Sequence, residues 1–253
     1  MNDRGSLADA TYADGAALGR GEPMKNKIKP IAAIAFVTVE AILGVIIWVT
    51  ELNVLPAYLA VVLAALFVAL FSERSQAYFL TQVALLFTLA ADYYLLVIDD
   101  KYEIGMLWFI LAQLCYFARI YLSEERKSVR IAHLVSRCGG ILLSLLLPFL
   151  ILGDGVDLLS VVSVVYFVNI LLNAIFAFIS FKRSPMLALG LLLFVACDIF
   201  VALANLGGYI KLGGELYLAL KSVGFNRIAW LFYVPSQTLI ALSGVMLKEH
   251  PRS

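Results

Sequence analysis

The sequence contains few charged residues. Asp, Glu, Lys and Arg make up only 15% of its 253 residues, and 62% are hydrophobic. Soluble domains carry about 25% charged residues and about 45–50% apolar ones. With a mean hydropathy of +0.94, the chain has too little polar surface to cover a soluble domain of this length. The composition therefore excludes a soluble globular protein and indicates one that lies in a membrane.

Cysteine and histidine are also scarce. The three cysteines, Cys115, Cys138 and Cys197, are an odd number within or beside apolar segments, which argues against a disulfide framework. The two histidines, His133 and His250, occur without CxxC or HExxH patterns, so we expect no metal site built from Cys and His. His133 lies in a basic segment, where we expect a solvated surface residue. GxSxG and phosphate-binding glycine loops are absent as well, and we predict no cofactor.

What the sequence has instead is a series of long apolar runs. Backbone groups in lipid must be hydrogen-bonded internally, which restricts spanning structures to helices and closed barrels. Barrel strands would be short and alternating, whereas these runs are continuous and approach the ~20 residues of a helical span. We therefore predict an all-α polytopic membrane protein with eight transmembrane helices. The predicted spans are residues 30–50, 54–71, 77–98, 104–122, 138–152, 157–181, 185–206 and 226–247.

Lys and Arg are unevenly distributed between the segments that join these spans. They concentrate at residues 25–29, 123–137 and 182–184, and the alternate connections are acidic or poor in basic residues. Because basic segments stay on the cytoplasmic side, an even number of spans predicts that both termini are cytoplasmic. The segment at 123–137 could also contact anionic headgroups of membrane lipids. We predict a flexible tail over residues 1–24 and an eight-helix transmembrane domain over 25–250.

Two of the apolar runs resemble each other. Residues 86–97 are LFTLAADYYLLV and residues 192–203 are LLFVACDIFVAL, each with a single aspartate after two small residues. Each aspartate lies in the third helix of a predicted four-helix half. Two such halves would have the same orientation, related by an axis along the membrane normal. A chance similarity between two leucine-rich segments is an equally open interpretation.

The aspartates in these runs, Asp92 and Asp198, are the most informative residues. A charged residue at the bilayer centre costs about 2.5–3.5 kcal/mol on insertion scales, so it usually faces the bundle interior or a cavity. Asp92 lies ~9 Å and Asp198 ~12 Å from the outer end of its span, at 1.5 Å per residue. Two carboxyl groups at similar depth, one protonated and one ionised, would form an acid/base pair. Glu40, midway along the first span, is open between a ligand and a structural role.

Other polar side chains recur at helical spacing within the spans. Amides at such positions commonly join helices by hydrogen bonds, which is the alternative to a site role for each of them. Arg119 lies close to a cytoplasmic helix end, where we expect its side chain to extend toward the membrane surface. The remaining candidates for a site are Gln113, Tyr116, Asn169, Asn173, Tyr233 and Gln237.

Four segments carry a family resemblance. ADYYLLV followed by WFILAQLCYFARI, with LLFVACDIFVAL and WLFYVPSQTLIALS downstream, resembles the YhhN/TMEM86 family of lysoplasmalogenases over roughly residues 50–247. Ala91 stands where the family motif has glycine, Cys197 where it has serine, and Gln113 where histidine is usual. The resemblance implies eight helices and hydrolysis of the vinyl ether bond of lysoplasmalogens. The products would be a fatty aldehyde and a glycerophospho-headgroup.

The resemblance also implies roles for the two aspartates. Hydrolysis of a vinyl ether begins with protonation of an alkene carbon, and water captures the resulting oxocarbenium ion. One carboxyl can deliver the proton while a second stabilises the cation and orients water, as in glycoside hydrolysis. We expect Asp92 and Asp198 to be catalytic, with the acid undecided between them. The seven other candidates, Glu40 among them, would bind the substrate.

The expected partners follow from these roles. The substrate would be a lysophospholipid that enters from the bilayer through an apolar channel, and membrane lipids would surround the protein. Nothing indicates nucleic acid, and the oligomeric state stays open. The alternative function is a proton-coupled transporter or a lipid-binding membrane protein with the same aspartates as ligands. Helix-to-helix hydrogen bonding by the aspartates is a third, purely structural, alternative.

Overall fold

The computed structural model describes residues 24–50, 54–72, 75–206 and 213–246. Among these described residues, those up to Ala35 form one compact unit and those from Phe36 onward form a second. All but the last residue of the tail predicted for 1–24 lie outside the described residues, as do the last residues of the domain predicted to end at 250.

The described residues form helices and no β-strand. A π-helical segment, Tyr93–Ile98, continues the third α-helix, and a 3₁₀ turn, Gly153–Gly155, follows the fifth. The α-helices are α1 Met24–Val49, α2 Val54–Phe71, α3 Gln76–Asp92, α4 Tyr102–Ser123, α5 Lys127–Leu152, α6 Leu158–Ile179, α7 Pro185–Leu206, α8 Glu215–Val223 and α9 Phe225–Ser243.

Seven of these helices, α1 to α7, are long and apolar enough to cross a membrane. Large apolar side chains on their outer faces are exposed, for example Leu150 at 78% and Leu142 at 66%, as expected of helices in contact with lipid. The last helix, α9, is long enough but more polar, with Arg227 and Gln237 among its residues. The predicted all-α membrane fold is therefore confirmed for seven spans.

Two predicted boundaries were wrong. Helix α5 begins at Lys127, eleven residues before its predicted start, so most of the basic segment at 123–137 is helical. The Lys and Arg residues of that segment suggested a loop, but several of them lie on a helix whose other side is buried. The short helix α8 lies between the predicted spans 185–206 and 226–247, where no helix was predicted.

Two helix pairs, α3 with α4 and α7 with α9, have the most extensive contacts. Close approach of α7 and α9 depends on Gly190, because a Cβ there would lie 2.8 Å from Cγ1 of Ile240 and 3.1 Å from the Ser236 carbonyl oxygen. The Ser236 hydroxyl donates to the Gly190 carbonyl at 2.8 Å in the same contact. Helix α6 packs against α4, α5 and α7, and α2 packs against α3 and α9. These contacts bring polar faces of α3, α4, α6, α7 and α9 into the interior.

Candidate active site

Asp92 is the last residue of α3, immediately before the π-helical segment. Its side chain is buried, with the residue 4% exposed. The hydroxyl of Tyr233, on α9, donates a hydrogen bond to its Oδ2 atom. Short π-helical segments are frequent at functional sites because they distort the regular helical register. Asp92 is thus held at a helix irregularity by a tyrosine from the far end of the chain.

Asp198, on α7, has a closely similar environment. The hydroxyl of Tyr166, on α6, donates to its Oδ2 atom at 2.7 Å. Unlike Asp92, Asp198 is only partly buried. The two carboxyl groups are near enough to interact electrostatically.

Aromatic rings join the two aspartate–tyrosine pairs. The Phe109 ring lies 5.3 Å from that of Tyr166 and 5.7 Å from that of Phe194, centroid to centroid. Phe194 in turn packs edge-to-face against Tyr233 at 5.4 Å. Separations of 4.5–7 Å are those of favourable aromatic pairs. Two carboxyl groups, two tyrosine hydroxyls and an apolar aromatic wall therefore form one cluster, which we call the aspartate cluster: Asp92, Phe109, Tyr166, Phe194, Asp198 and Tyr233.

Asn169 and Asn173 are brought to an arginine rather than to the aspartates. The guanidinium of Arg137 donates to the side-chain oxygens of both, and it also lies over the Phe117 ring at 4.3 Å from its centroid. The Asn173 amide donates to the backbone and side-chain oxygens of Gln113 at 2.8 and 2.9 Å. This network connects α4, α5 and α6.

Several predicted site residues are buried with polar atoms that have no hydrogen-bond partner among the described residues. They include the amide nitrogen of Gln113, the Tyr116 hydroxyl, both polar atoms of the Gln237 side chain and both carboxyl oxygens of Glu40. Each of these residues is at most 1% exposed. An unpartnered buried polar group costs roughly 1–3 kcal/mol, so these atoms are the ones that a polar ligand would satisfy.

Arg119 and His133 differ from the sequence prediction. Arg119 was expected to extend to the membrane surface, but it is 2% exposed and donates to the Thr81 hydroxyl at 2.7 Å and to the Ser243 hydroxyl and carbonyl at 2.9 Å. His133 was expected to be solvated, but it is 1% exposed and its ring stacks on Phe176 at 4.0 Å.

The role of Arg137 was missed, although its spacing carried a signal. It lies four residues after His133 and seven before Ser144, which places all three on one helix face, and all three are buried. Arg119 likewise follows Tyr116 by three residues on the inward face of α4. Because the predicted helix started at residue 138, residues 133 and 137 lay outside it and their helical spacing was not considered.

Metal ligands do not gather at the site. Across the ranges that the structure describes, no three His, Cys, Asp or Glu side chains lie together as a metal site would require. The cysteines Cys115, Cys138 and Cys197 are free thiols. The carboxyl and phenol groups of the aspartate cluster can transfer protons and form hydrogen bonds.

Long apolar helices around two aspartate–tyrosine pairs indicate a multi-pass α-helical membrane protein. The model of the YhhN family matches residues 52–244, so the chain belongs to the YhhN family and the resemblance seen in the sequence is confirmed. The matched region runs from α2 to α9 and contains the whole aspartate cluster. No curated protein and no solved structure matches the chain.

Proposed function

We propose that this protein is a membrane-embedded hydrolase that cleaves the vinyl ether bond of lysoplasmalogens. The observation that carries the proposal is the aspartate cluster, in which two carboxyl groups are each bonded by a tyrosine within one aromatic environment. Membership of the YhhN family supports it further. A reaction that needs an acid, a carboxylate and an apolar pocket suits this combination.

The proposed reaction has three steps. A carboxylic acid gives its proton to the alkene carbon farther from the ether oxygen, and the adjacent carbon becomes an oxocarbenium ion. Water adds to that carbon and gives up a proton to a carboxylate, so that the lipid becomes a hemiacetal. Cleavage of the carbon–oxygen bond then releases a fatty aldehyde, and the oxygen leaves as a hydroxyl of the glycerophospho-headgroup.

The hydrogen bonds indicate which oxygen atoms would take part. Tyr233 and Tyr166 both donate to the Oδ2 atom of their aspartate, so Oδ1 is the atom on which a transferable proton would lie. The tyrosine bonds fix the orientation of each carboxyl group, which favours a defined path for the proton. Catalysis by a positioned acid or base contributes typically 10²–10⁴-fold.

The aromatic rings would stabilise the positive charge of the intermediate. The faces of Phe109 and Phe194 are electron-rich, and a cation within about 6 Å of a ring is attracted by roughly 0.5–2 kcal/mol. Because these rings lie between the two aspartate–tyrosine pairs, an oxocarbenium ion near either carboxyl group would also be near a ring.

The lipid would reach the cluster from the side of Asp198. That residue is partly exposed whereas Asp92 is buried, and apolar side chains such as Ile199 at 45% exposure surround it. The alkenyl chain can then remain in the apolar surroundings of the bilayer. The unpartnered polar atoms of Gln113, Tyr116 and Gln237 would bind the attacking water or the glycerol hydroxyl. Glu40, Asn169 and Asn173 complete the proposed binding residues.

We also propose that α9 is an eighth span and that both termini are cytoplasmic, with residues 25–250 as one domain. Basic residues cluster at the α4–α5 and α6–α7 connections, which an eight-span arrangement puts on one side. The two most extensive helix pairs, α3 with α4 and α7 with α9, are equivalent if the domain consists of two four-helix repeats.

The direct test is to incubate the purified protein with a lysoplasmalogen and, separately, with the saturated ether analogue of the same headgroup and chain length. We expect aldehyde from the vinyl ether alone, because a saturated ether has no alkene carbon to protonate. Proton-coupled transport of the intact lipid into vesicles, without aldehyde, would instead establish the transporter alternative. Binding of both lipids with neither reaction would establish a lipid-binding protein.

A further inference from the structure

A second site lies at the opposite end of the bundle from the π-helical segment. A partly open cavity of about 80 Å³ lies between the end of α4, the end of α6 and the start of α7. This volume is several times the roughly 10–15 Å³ that one water molecule needs, which leaves room for a phosphate group. Its polar wall consists of Arg119, Ser123, Glu124, Ser180, Arg183 and Ser184.

Arg119 contributes an uncompensated positive charge to this cavity. Its hydrogen bonds go to neutral groups, and among the ion pairs of the described residues none includes it. The bond on the cavity side, from Nη2 to the Ser184 hydroxyl, is 3.5 Å long, well beyond the usual 2.7–3.2 Å. A buried charge that lacks an opposite charge is costly, so an anion in the cavity would be strongly favoured.

Glu124, the carboxylate in the cavity wall, does not prevent an anion from binding, because its negative charge is already balanced by hydrogen bonds from Arg126 and Ser180. Glu124 accepts bonds from the backbone and guanidinium of Arg126 at 2.9–3.0 Å and from the Ser180 hydroxyl at 2.5 Å. These bonds, chiefly those from Arg126, hold the pKa of Glu124 well below its usual range. Arg183 adds a further cation, paired with Glu125 at 3.1 Å and 35% exposed. In and around the cavity, the three positive charges of Arg119, Arg126 and Arg183 therefore exceed the two negative charges of Glu124 and Glu125.

The surroundings of the cavity favour a lipid phosphate over a free ion. The cavity lies where α4 and α6 end and α7 begins, which is the level of the headgroups. Beside it, Leu122, Phe178 and Ile179 are 47%, 57% and 47% exposed and provide an apolar surface for acyl chains. Basic pockets between spans on the cytoplasmic side commonly bind anionic headgroups.

We propose that this cavity binds the phosphate of a membrane phospholipid, with Arg119 and Arg183 as the cationic ligands and the hydroxyls of Ser180 and Ser184 beside them. It is separate from the aspartate cluster, because Leu187 in its wall is eleven residues, or ~16 Å along α7, from Asp198. A lysophospholipid whose vinyl ether lies at Asp198 could not reach it with its phosphate. The lipid bound here is therefore a resident of the surrounding membrane, not the proposed substrate.

The test is native mass spectrometry of the purified protein in detergent, titrated with dioleoyl phosphatidylglycerol and with dioleoylglycerol, which lacks the phosphate. We expect saturable binding of the phospholipid alone. Arg183→Gln removes one cationic ligand, and Ala177→Leu places a larger side chain in the space proposed for the phosphate. Each should weaken binding about tenfold, because the first loses a charge-assisted hydrogen bond and the second excludes the ligand. Lys182→Gln is the matched control, because Lys182 is exposed in the same connection and does not line the cavity.

The readout is binding, so it is independent of whether lysoplasmalogens are hydrolysed. Equal weakening by Lys182→Gln would show general surface attraction and overturn the proposal, as would equal binding of dioleoylglycerol. Inorganic phosphate provides a further arm. If it binds in wild type and not in Ala177→Leu while the phospholipid fails to bind, the cavity takes a free phosphate ion and the lipid assignment is wrong.

Discussion

The same two helices carry two polar regions of opposite charge. On α3 and α9, Asp92 and Tyr233 belong to the aspartate cluster, whereas Thr81 and Ser243 bind Arg119. The two levels are ten or eleven residues apart on each helix, about 15 Å. Carboxyl groups at one end and a guanidinium at the other are thus kept apart, although a direct pair would cancel their charges. Each is instead bonded to uncharged hydroxyl and carbonyl groups.

Because the aspartates and Arg119 are kept apart, each remains able to interact with another molecule. A carboxyl group bonded by a tyrosine can still exchange a proton, and a guanidinium bonded by serine and threonine can still attract an anion. An internal salt bridge would remove both capacities, because each charge would be satisfied within the protein. The variants below test whether the two regions act independently, from the largest expected effect to the smallest.

The largest effect is expected from the aspartates. Asp92→Asn and Asp198→Asn each replace one carboxyl group of the proposed acid and carboxylate pair by an amide of the same shape. Aldehyde release should fall by about 10²–10⁴-fold in either variant. Asp154→Asn, in an exposed turn, is the control and should retain full activity. Substantial aldehyde release by one of the two variants would remove that residue from the catalytic pair.

A change at the α7–α9 contact should weaken both regions together. Gly190→Ala places a methyl group 2.8 Å from Ile240, so the helices must separate, at a cost of roughly 1–3 kcal/mol in the free energy of unfolding. Thermal unfolding in detergent measures it. In Gly139→Ala the new methyl group meets nothing within 4 Å, so that control should unfold at the wild-type temperature. Equal stability of both variants would mean that this contact is not tight.

The tyrosines should matter less than the aspartates. Tyr166→Phe and Tyr233→Phe keep the aromatic packing and remove one hydrogen bond to a carboxyl group, so aldehyde release should fall about tenfold. Tyr217→Phe, where only the ring packs on Phe225, is the control. If either change were as damaging as Asp→Asn, the tyrosine would itself transfer a proton.

The smallest effect is expected beside the arginine end. Glu124→Gln should lower the free energy of unfolding by roughly 0.2–1 kcal/mol at pH 7, since its partner Arg126 is half exposed. The pKa of Glu124 is depressed in the folded protein, so its contribution is present above its unfolded pKa of about 4.3 and is lost as the pH falls through the folded value. The difference from wild type should therefore shrink below about pH 4.

Glu125→Gln is the matched control for that measurement, because the side chain is 81% exposed. It should change stability little at any pH. A difference between Glu124→Gln and wild type that stays constant down to pH 3 would contradict a depressed pKa and indicate packing instead.

The lengths of the apolar runs predicted the positions of the spans well, but they did not predict which way the polar side chains point. The ~20-residue runs located α2, α4, α6 and α7 to within a few residues, because lipid permits little else. The start of α5 was missed because the charged residues at its beginning resemble the sequence of a loop. Only the structure shows that they belong to a helix with a buried face, which contains Arg137. Arg119 was placed near a helix end correctly, but whether it turns outward or inward depends on Thr81 and Ser243, which are distant in sequence.

The two aspartates of the candidate site could be predicted from the sequence, but the residues that bind them could not. An aspartate within an apolar run is costly enough to be noticed in any sequence. Which tyrosine binds it depends on how α6 and α9 pack, and no local pattern contains that information. Asn169 and Asn173 illustrate the point, because their stripe on α6 was recognised while their partner, Arg137, lies on another helix.

The hydrogen bond between Tyr233 and Asp92 joins residues 141 positions apart. During synthesis, α3 enters the membrane long before α9 has left the ribosome. A nascent chain that ends before α9 therefore has one aspartate without its tyrosine and Arg119 without Ser243. The hydrogen bonds of Asp92 and Arg119 are therefore complete only after the last described helix has packed against α3 and α4.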